Sequence, residues 1–285
     1  MSARSSRKTD RLRSIGTRTR ALAASVAALA ALAGCGKHGG GDGSGSRQAE
    51  PLHVAAASDL ALAFGELGKA FEQSSGKKVE FSFAATGLLA KQISEGAPFD
   101  VFAAANMSFV DEVVRSNVCL GNTKKIYARG RIAIWSKDKA QLPAGLEDLR
   151  DPKYVKVAIA NPEHAPYGLA AQQAMTKAGV WADVKPRLVY GENVQQTMMF
   201  GTSGNADVAI VALSLAVASP GAYLPIDPAL HEPLEQAMVV CKGGSTGGRP
   251  NEARAFVEYV GSEPGRAIMR KHGFLPPGEA VPPPP

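Results

Sequence analysis

Val54-Ala55-Ala56-Ala57-Ser58-Asp59-Leu60 decides the reading of this chain. An apolar strand runs into two small polar residues. A helix pattern follows at once, with Leu60, Phe64, Leu67 and Phe71 on one face. The same order returns at Phe81-Ser82-Phe83-Ala84-Ala85-Thr86-Gly87-Leu88. It returns again at Val157-Ala158-Ile159-Ala160, followed by Asn161-Pro162-Glu163-His164-Ala165-Pro166-Tyr167-Gly168. Each strand end hands a small or hydroxyl residue to a helix N-terminus, where N–H groups are free and the helix dipole is positive. Several such termini facing one cleft suit a small anion.

Toward the N-terminus the composition changes. Residues 1–20 hold seven basic residues and one acid, Asp10, and residues 21–34 are uncharged and rich in Ala and Leu. This is a basic n-region, an apolar h-region and a small-residue cleavage site. The apolar run is shorter than the roughly 20 residues of a membrane-spanning helix. Leu32-Ala33-Gly34-Cys35 resembles a bacterial lipobox, which implies a lipoprotein signal peptide over 1–34, cleavage before Cys35 and a lipid on Cys35. The protein is then expected outside the cytoplasm, anchored to the cell membrane. An ordinary signal peptide ending near a cysteine is the alternative. Residues 35–50 read as the lipidated cysteine and a Gly/Ser-rich tether, with a reach on the order of 20 Å.

The export segment also accounts for the net charge of +6. Removing its seven basic residues and one acid from the chain's 32 and 26 leaves 25 of each sign. A neutral mature chain without a basic stripe gives no reason to expect nucleic acid as a partner. Cys119 and Cys241 remain there, either as a disulfide, if exported, or as two buried thiols.

The mature chain alternates strands and helices, which argues α/β architecture with mostly parallel sheets. Ile126–Trp135 is a long extended segment interrupted by Arg129-Gly130-Arg131, suited to a crossing between two lobes. A second α/β set follows. Pro220–Pro233 is looser, with four prolines, and Ala237–Val240 offers the return crossing. The expected lobes are 51–128 with 234–275, and 129–233, with a ligand cleft between them at the strands' carboxyl ends. Residues 276–285 are expected to be a disordered tail.

Ser58 and Thr86 offer hydroxyl donors beside helix-entry N–H groups. Tyr167 offers a phenol just after Pro166, and Val194 only a backbone N–H. Such neutral dipoles in a dry pocket can hold a dianion without Lys or Arg. The Asp59 carboxylate would repel an anion, so its side chain should turn away and leave its N–H as a weaker candidate. Each feature alone has a plainer reading, as an N-cap or a half-buried aromatic. No nucleophile–base pair stands out, since Ser203-Gly204 and Ser245-Thr246-Gly247 lack a strand–turn–helix context. The five histidines have no metal-ligand spacing. The expectation is a protein that is not an enzyme and holds no cofactor.

These residues are similar to those of the molybdate-binding proteins of bacterial ABC transporters. The carriers are Ala55–Leu60, Thr86-Gly87 with Leu89-Ala90-Lys91-Gln92-Ile93, Glu95-Gly96-Ala97-Pro98-Phe99-Asp100-Val101-Phe102, Asn161–Pro166, Gly191-Glu192-Asn193-Val194 and Lys271-His272-Gly273-Phe274. They span about Leu52 to Leu275. The resemblance implies a two-lobed type II periplasmic-binding-protein fold and a monomer that passes molybdate or tungstate to a permease in the cytoplasmic membrane. It also implies an oxyanion site at Ser58, Thr86, Tyr167 and Val194, where molybdenum enters only as the centre of the bound oxyanion. Many members carry a further tyrosine where this chain has Ala212, and Tyr167 would supply the missing phenol from the opposite helix start. That departure leaves sulfate or another oxyanion open. A surface lipoprotein enzyme acting on phosphate or sulfate esters, or a scaffold without a small ligand, are readings from other classes.

Overall fold

The computed structural model describes residues 50–243 and 248–280. The expected signal peptide over 1–34, Cys35 and nearly all of the expected tether lie outside the described residues, as do Ser245-Thr246-Gly247 and Val281 with the last four prolines of the tail.

In chain order the elements are β1 (Leu52–Ala57), α1 (Ala61–Ser75), β2 (Val79–Ala84), α2 (Thr86–Ser94), β3 (Val101–Ala104), α3 (Met107–Arg115), β4 (Lys125–Gly130) and β5 (Ile132–Ser136). There follow β6 (Val157–Ala160), α4 (Pro166–Lys177), α5 (Trp181–Val184), β7 (Leu188–Gly191), α6 (Val194–Ser203), β8 (Val208–Ala212), α7 (Leu213–Ala216) and β9 (Ala222–Pro225). The last are β10 (Leu234–Val240), α8 (Pro250–Val260) and α9 (Glu263–Lys271).

Two five-stranded sheets result, ordered β2-β1-β3-β10-β4 and β7-β6-β8-β5-β9. The orders correspond strand for strand. In each, three parallel strands are followed by an antiparallel one, β10 or β5, contributed where the chain passes between sheets. The extended segment predicted over 126–135 is therefore two strands. Gly130 ends β4 in the first sheet and Ile132 opens β5 in the second. The crossing falls at Arg131, two residues past the expected boundary, because Arg129 and Gly130 still pair with Glu235 and Leu234. The proline-rich stretch conceals β9, which pairs with β5 through Tyr223 and Leu224. Edge strands tolerate proline, since one row of their N–H groups needs no partner.

The first body packs around the face read from the sequence. Phe64 and Leu67 are fully buried, and Gly76 closes α1 in the left-handed conformation at φ 71°. Phe64 meets Phe81 at 5.7 Å and Phe256 at 6.0 Å between ring centroids, so α1, β2 and α8 share one aromatic cluster. Cys119 and Cys241 form a disulfide across an isolated antiparallel bridge, which resolves the two alternatives. Residues 276–280 depart from the expected disorder. Glu279 pairs with Arg266 and Arg270, and its N–H donates to the Pro276 carbonyl, fastening this part of the tail to α9.

Candidate functional site

The strand pairings set where the helix entries fall. Ala57 pairs with Ala84 at the ends of β1 and β2, and Ala160 pairs with Gly191 at the ends of β6 and β7. Corresponding strand ends of the two sheets thus deliver Ser58, Thr86, Tyr167 and Val194. All four line one small space together with Asp59, five alanines and Pro166. Within it the centre of a water-sized sphere can move through only about 10 Å³, room for about one water. A wider groove beside Leu169 and Leu230 lies on the surface and gathers no ring of helix entries.

The space is closed by contacts between the two bodies. The Gly87 N–H donates to the His164 carbonyl at 2.9 Å. A Cβ on Gly87 would lie 3.0 Å from that oxygen, so the approach depends on glycine.

Each entry leaves a donor free. Ser58 opens a short 3-10 turn that runs directly into α1, and no side chain caps either start. Its hydroxyl is not used for capping, contrary to the commoner role of such a residue. Thr86 Oγ1 accepts the Ala105 N–H at 3.2 Å, which fixes the hydroxyl oxygen and leaves its own proton to be donated. At α6, Asn193 Oδ1 accepts the Gln196 N–H at 2.9 Å, and Gln196 Oε1 accepts the Glu192 N–H at 2.6 Å. This reciprocal cap leaves the first-turn N–H of Val194 without an intrahelical acceptor.

Tyr167 departs from expectation. Its phenol donates to Asp59 Oδ2 at 2.9 Å and accepts from Gln236 Nε2 at 3.0 Å. The phenol proton is therefore held by a carboxylate, and what Tyr167 offers the space is its N–H in the first turn of α4. The Asp59 side chain is 1% exposed, with Oδ2 taking a second bond from Gln236 Nε2 at 2.5 Å. A buried carboxylate needs donors, and the nearby phenol and amide supply them. Burial outweighs those bonds and pushes the Asp59 carboxyl up to about 6. Burial and the Asp59 charge together raise the Tyr167 and Tyr127 phenols well above their ordinary range.

Ala212 is fully buried, pairs with Ile132 and is not part of the lining. Two participants escaped the sequence reading. Gln236 is a fully buried amide within the apolar strand β10, and Ser214 Oγ donates to the Asp59 carbonyl at 3.0 Å from the second body. A lone glutamine among Leu234, Ala237, Met238 and Val239 was the available signal for the first; nothing marked the second. Among the described residues no cluster of His, Cys, Asp or Glu could hold a metal ion.

The chain is similar to known proteins over nearly all of its described length. The bacterial extracellular solute-binding protein family matches residues 52–275. The molybdate-binding protein ModA of Rhodobacter capsulatus is 33% identical over 213 residues, covering 74% of this chain and 82% of that protein. A Bacillus subtilis relative, named as a substrate-binding lipoprotein of an ABC transporter, is 26% identical over 88% of this chain and 95% of its own length. The solved periplasmic molybdate-binding protein of Azotobacter vinelandii superimposes with a TM-score of 0.72 at 26% identity, over 81% of this chain and 99% of that one. With its family match covering nearly the whole of the two-sheet body, the chain belongs to the bacterial extracellular solute-binding proteins.

Proposed function

We propose that this protein captures molybdate outside the cytoplasm and presents it to the permease of an ABC importer. The observation that carries the reading is the convergence of four helix entries, two from each sheet, on one closed space whose lining contains no Lys or Arg. The Ser58 and Thr86 hydroxyls and the N–H groups of Tyr167 and Val194 would address the oxygens of a tetrahedral dianion. Helix-dipole ends and fixed neutral donors stabilise such a charge without mobile cations. Tungstate, with the same shape and charge, fits the same donors. The relatives named for molybdate support the choice of anion.

The space is too small for an anion to enter as it stands, so the two bodies must part at the Arg131 crossing and the return into β10, then close. Nothing in the lining suggests bond-making chemistry, and we read the protein as one that binds and releases its ligand unchanged. The lipobox at Cys35, and the relative named as a lipoprotein, support anchoring at the membrane.

The test is thermal unfolding of residues 50–280 after stripping bound anions, titrated with molybdate, tungstate, sulfate and phosphate. A ligand at about 100 times its dissociation constant adds about 2.7 kcal/mol to the folded state. A rise in Tm with micromolar molybdate or tungstate but not sulfate is expected. A rise with sulfate alone would keep the fold and change the cargo, and no rise with any anion would sink the reading. Sustained hydrolysis of a chromogenic phosphate or sulfate ester would instead make it an enzyme.

A further inference from the structure

The least expected group at this site is the buried carboxylate of Asp59, a residue that lines a space otherwise suited to anions. Asp59 Oδ2 is held by one donor from each body, Tyr167 from α4 and Gln236 from β10. Oδ1 is buried and has no hydrogen-bond partner. Among the described residues no Lys, Arg or His forms an ion pair or hydrogen bond with this carboxyl. The titratable groups that face it are the Tyr167 phenol and the Tyr127 phenol of β4, both neutral when their protons are held this tightly. Arg131 sends its guanidinium to the Gly273 carbonyl instead. From α6 and α7 the neighbours are Val194 and Ser214, which do not titrate.

We propose that Asp59 makes anion capture a proton-coupled event, in which the closed complex holds one additional proton at the Asp59 carboxyl beside the bound oxyanion. This rests on the anion-binding reading above. Two negative groups in one small buried site repel strongly, since little water is left to screen them. A proton drawn from solvent onto the unpartnered Oδ1 removes that repulsion and turns the oxygen from an acceptor into a donor. The O–H bond made at the carboxyl is balanced by the one broken in the hydronium or buffer acid that gives the proton, and opening returns the proton with the anion. Asp59 titrates near 6 before any ligand arrives, so only a modest upward push by a dianion is needed to keep it protonated at neutral pH. The consequence is directional. Binding takes up protons, so affinity falls as pH rises above about 6, by at most tenfold per pH unit.

The experiment is calorimetric titration of the stripped protein with molybdate at about pH 7 in buffers of different ionisation enthalpy, repeated between about pH 5.5 and pH 8. Uptake of roughly half to one proton per anion is expected, with weaker binding at the alkaline end. In Asp59→Asn, uptake should vanish and affinity should become nearly independent of pH. Molybdate binding by the unsubstituted protein with no proton uptake at any of these pH values overturns the proposal and leaves the binding function intact. If Asp59→Asn does not fold, the proton count of the unsubstituted protein decides alone. Absence of binding by every anion tried removes both readings together.

Discussion

Two buried carboxylates within the same body meet opposite fates. Asp100 is 2% exposed and Asp59 is 1% exposed. Asp100 Oδ2 accepts the His53 N–H at 2.9 Å and Arg249 Nη2 at 2.8 Å, while Oδ1 accepts the Arg249 N–H at 3.1 Å. The same guanidinium donates to the Glu50 and Pro51 carbonyls, tying the start of the folded body to the segment before α8. Asp59 has neutral donors on one oxygen and none on the other. Equal burial therefore does not mean equal purpose. A carboxylate matched by a cation and backbone donors is a structural fastener, whereas one left short of donors at a site suited to anions keeps a capacity to change its protonation.

The largest expected effect tests the fastener. Arg249→Met leaves Asp100 buried without its cation and should cost about 3–5 kcal/mol in urea unfolding. Molybdate affinity of the folded fraction should hardly change, and a large loss of affinity would break the distinction between the two carboxylates. Asp59→Asn should act in the opposite sense on stability. A carboxyl whose value rises from 3.8 unfolded to about 6 folded binds its proton more tightly in the folded state. Its favourable contribution is thus complete below about pH 4 and is lost as pH rises through about 6. Replacing it should stabilise the anion-free protein by at most about 3 kcal/mol at pH 7.5 and by little at pH 4. A loss of stability at pH 7.5 would show that the Tyr167 and Gln236 bonds outweigh burial.

Tyr167→Phe sharpens the same point from the other body. It removes the phenol bond to Asp59 and should cost about 2 kcal/mol at pH 7.5. Because the anion-facing donor is the backbone N–H, binding should survive; abolished binding would return the phenol to the list of direct ligands. The smallest effect concerns a residue that touches neither carboxylate. Thr86→Val keeps the shape but removes one donor and leaves the Ala105 N–H unpaired, at a cost of about 1 kcal/mol in stability. Its loss of molybdate affinity should be about tenfold, and unchanged affinity would remove Thr86 from the site.

Much of the site was legible because helix entries announce themselves locally. A strand followed by Ser58-Asp59, Thr86-Gly87, Pro166-Tyr167 or Asn193-Val194 states where free N–H groups will be, whatever the rest of the chain does. β9 was hidden because an edge strand can carry Pro225, and the pairing that defines it comes from β5, far away in sequence. The crossing at Arg131 was blurred because two strands of different sheets follow each other with a single residue between them. The bond between Tyr167 and Asp59 is not legible in the sequence, because the phenol and the carboxylate lie 108 residues apart and neither local window says that the fold brings them together.

Periodicity, strand–helix alternation and end signals, all properties of short windows, were enough to give the α/β class and the four helix entries that line the candidate site. Hydrogen-bond satisfaction is not such a property. Which donor reaches Asp59, why Gln236 lies buried in β10, and whether Cys119 meets Cys241 depend on groups brought together by chain crossings more than a hundred residues apart. Those pairings exist only once the distant segments have come together, because only then is water excluded and each buried polar group obliged to find its partner in the protein.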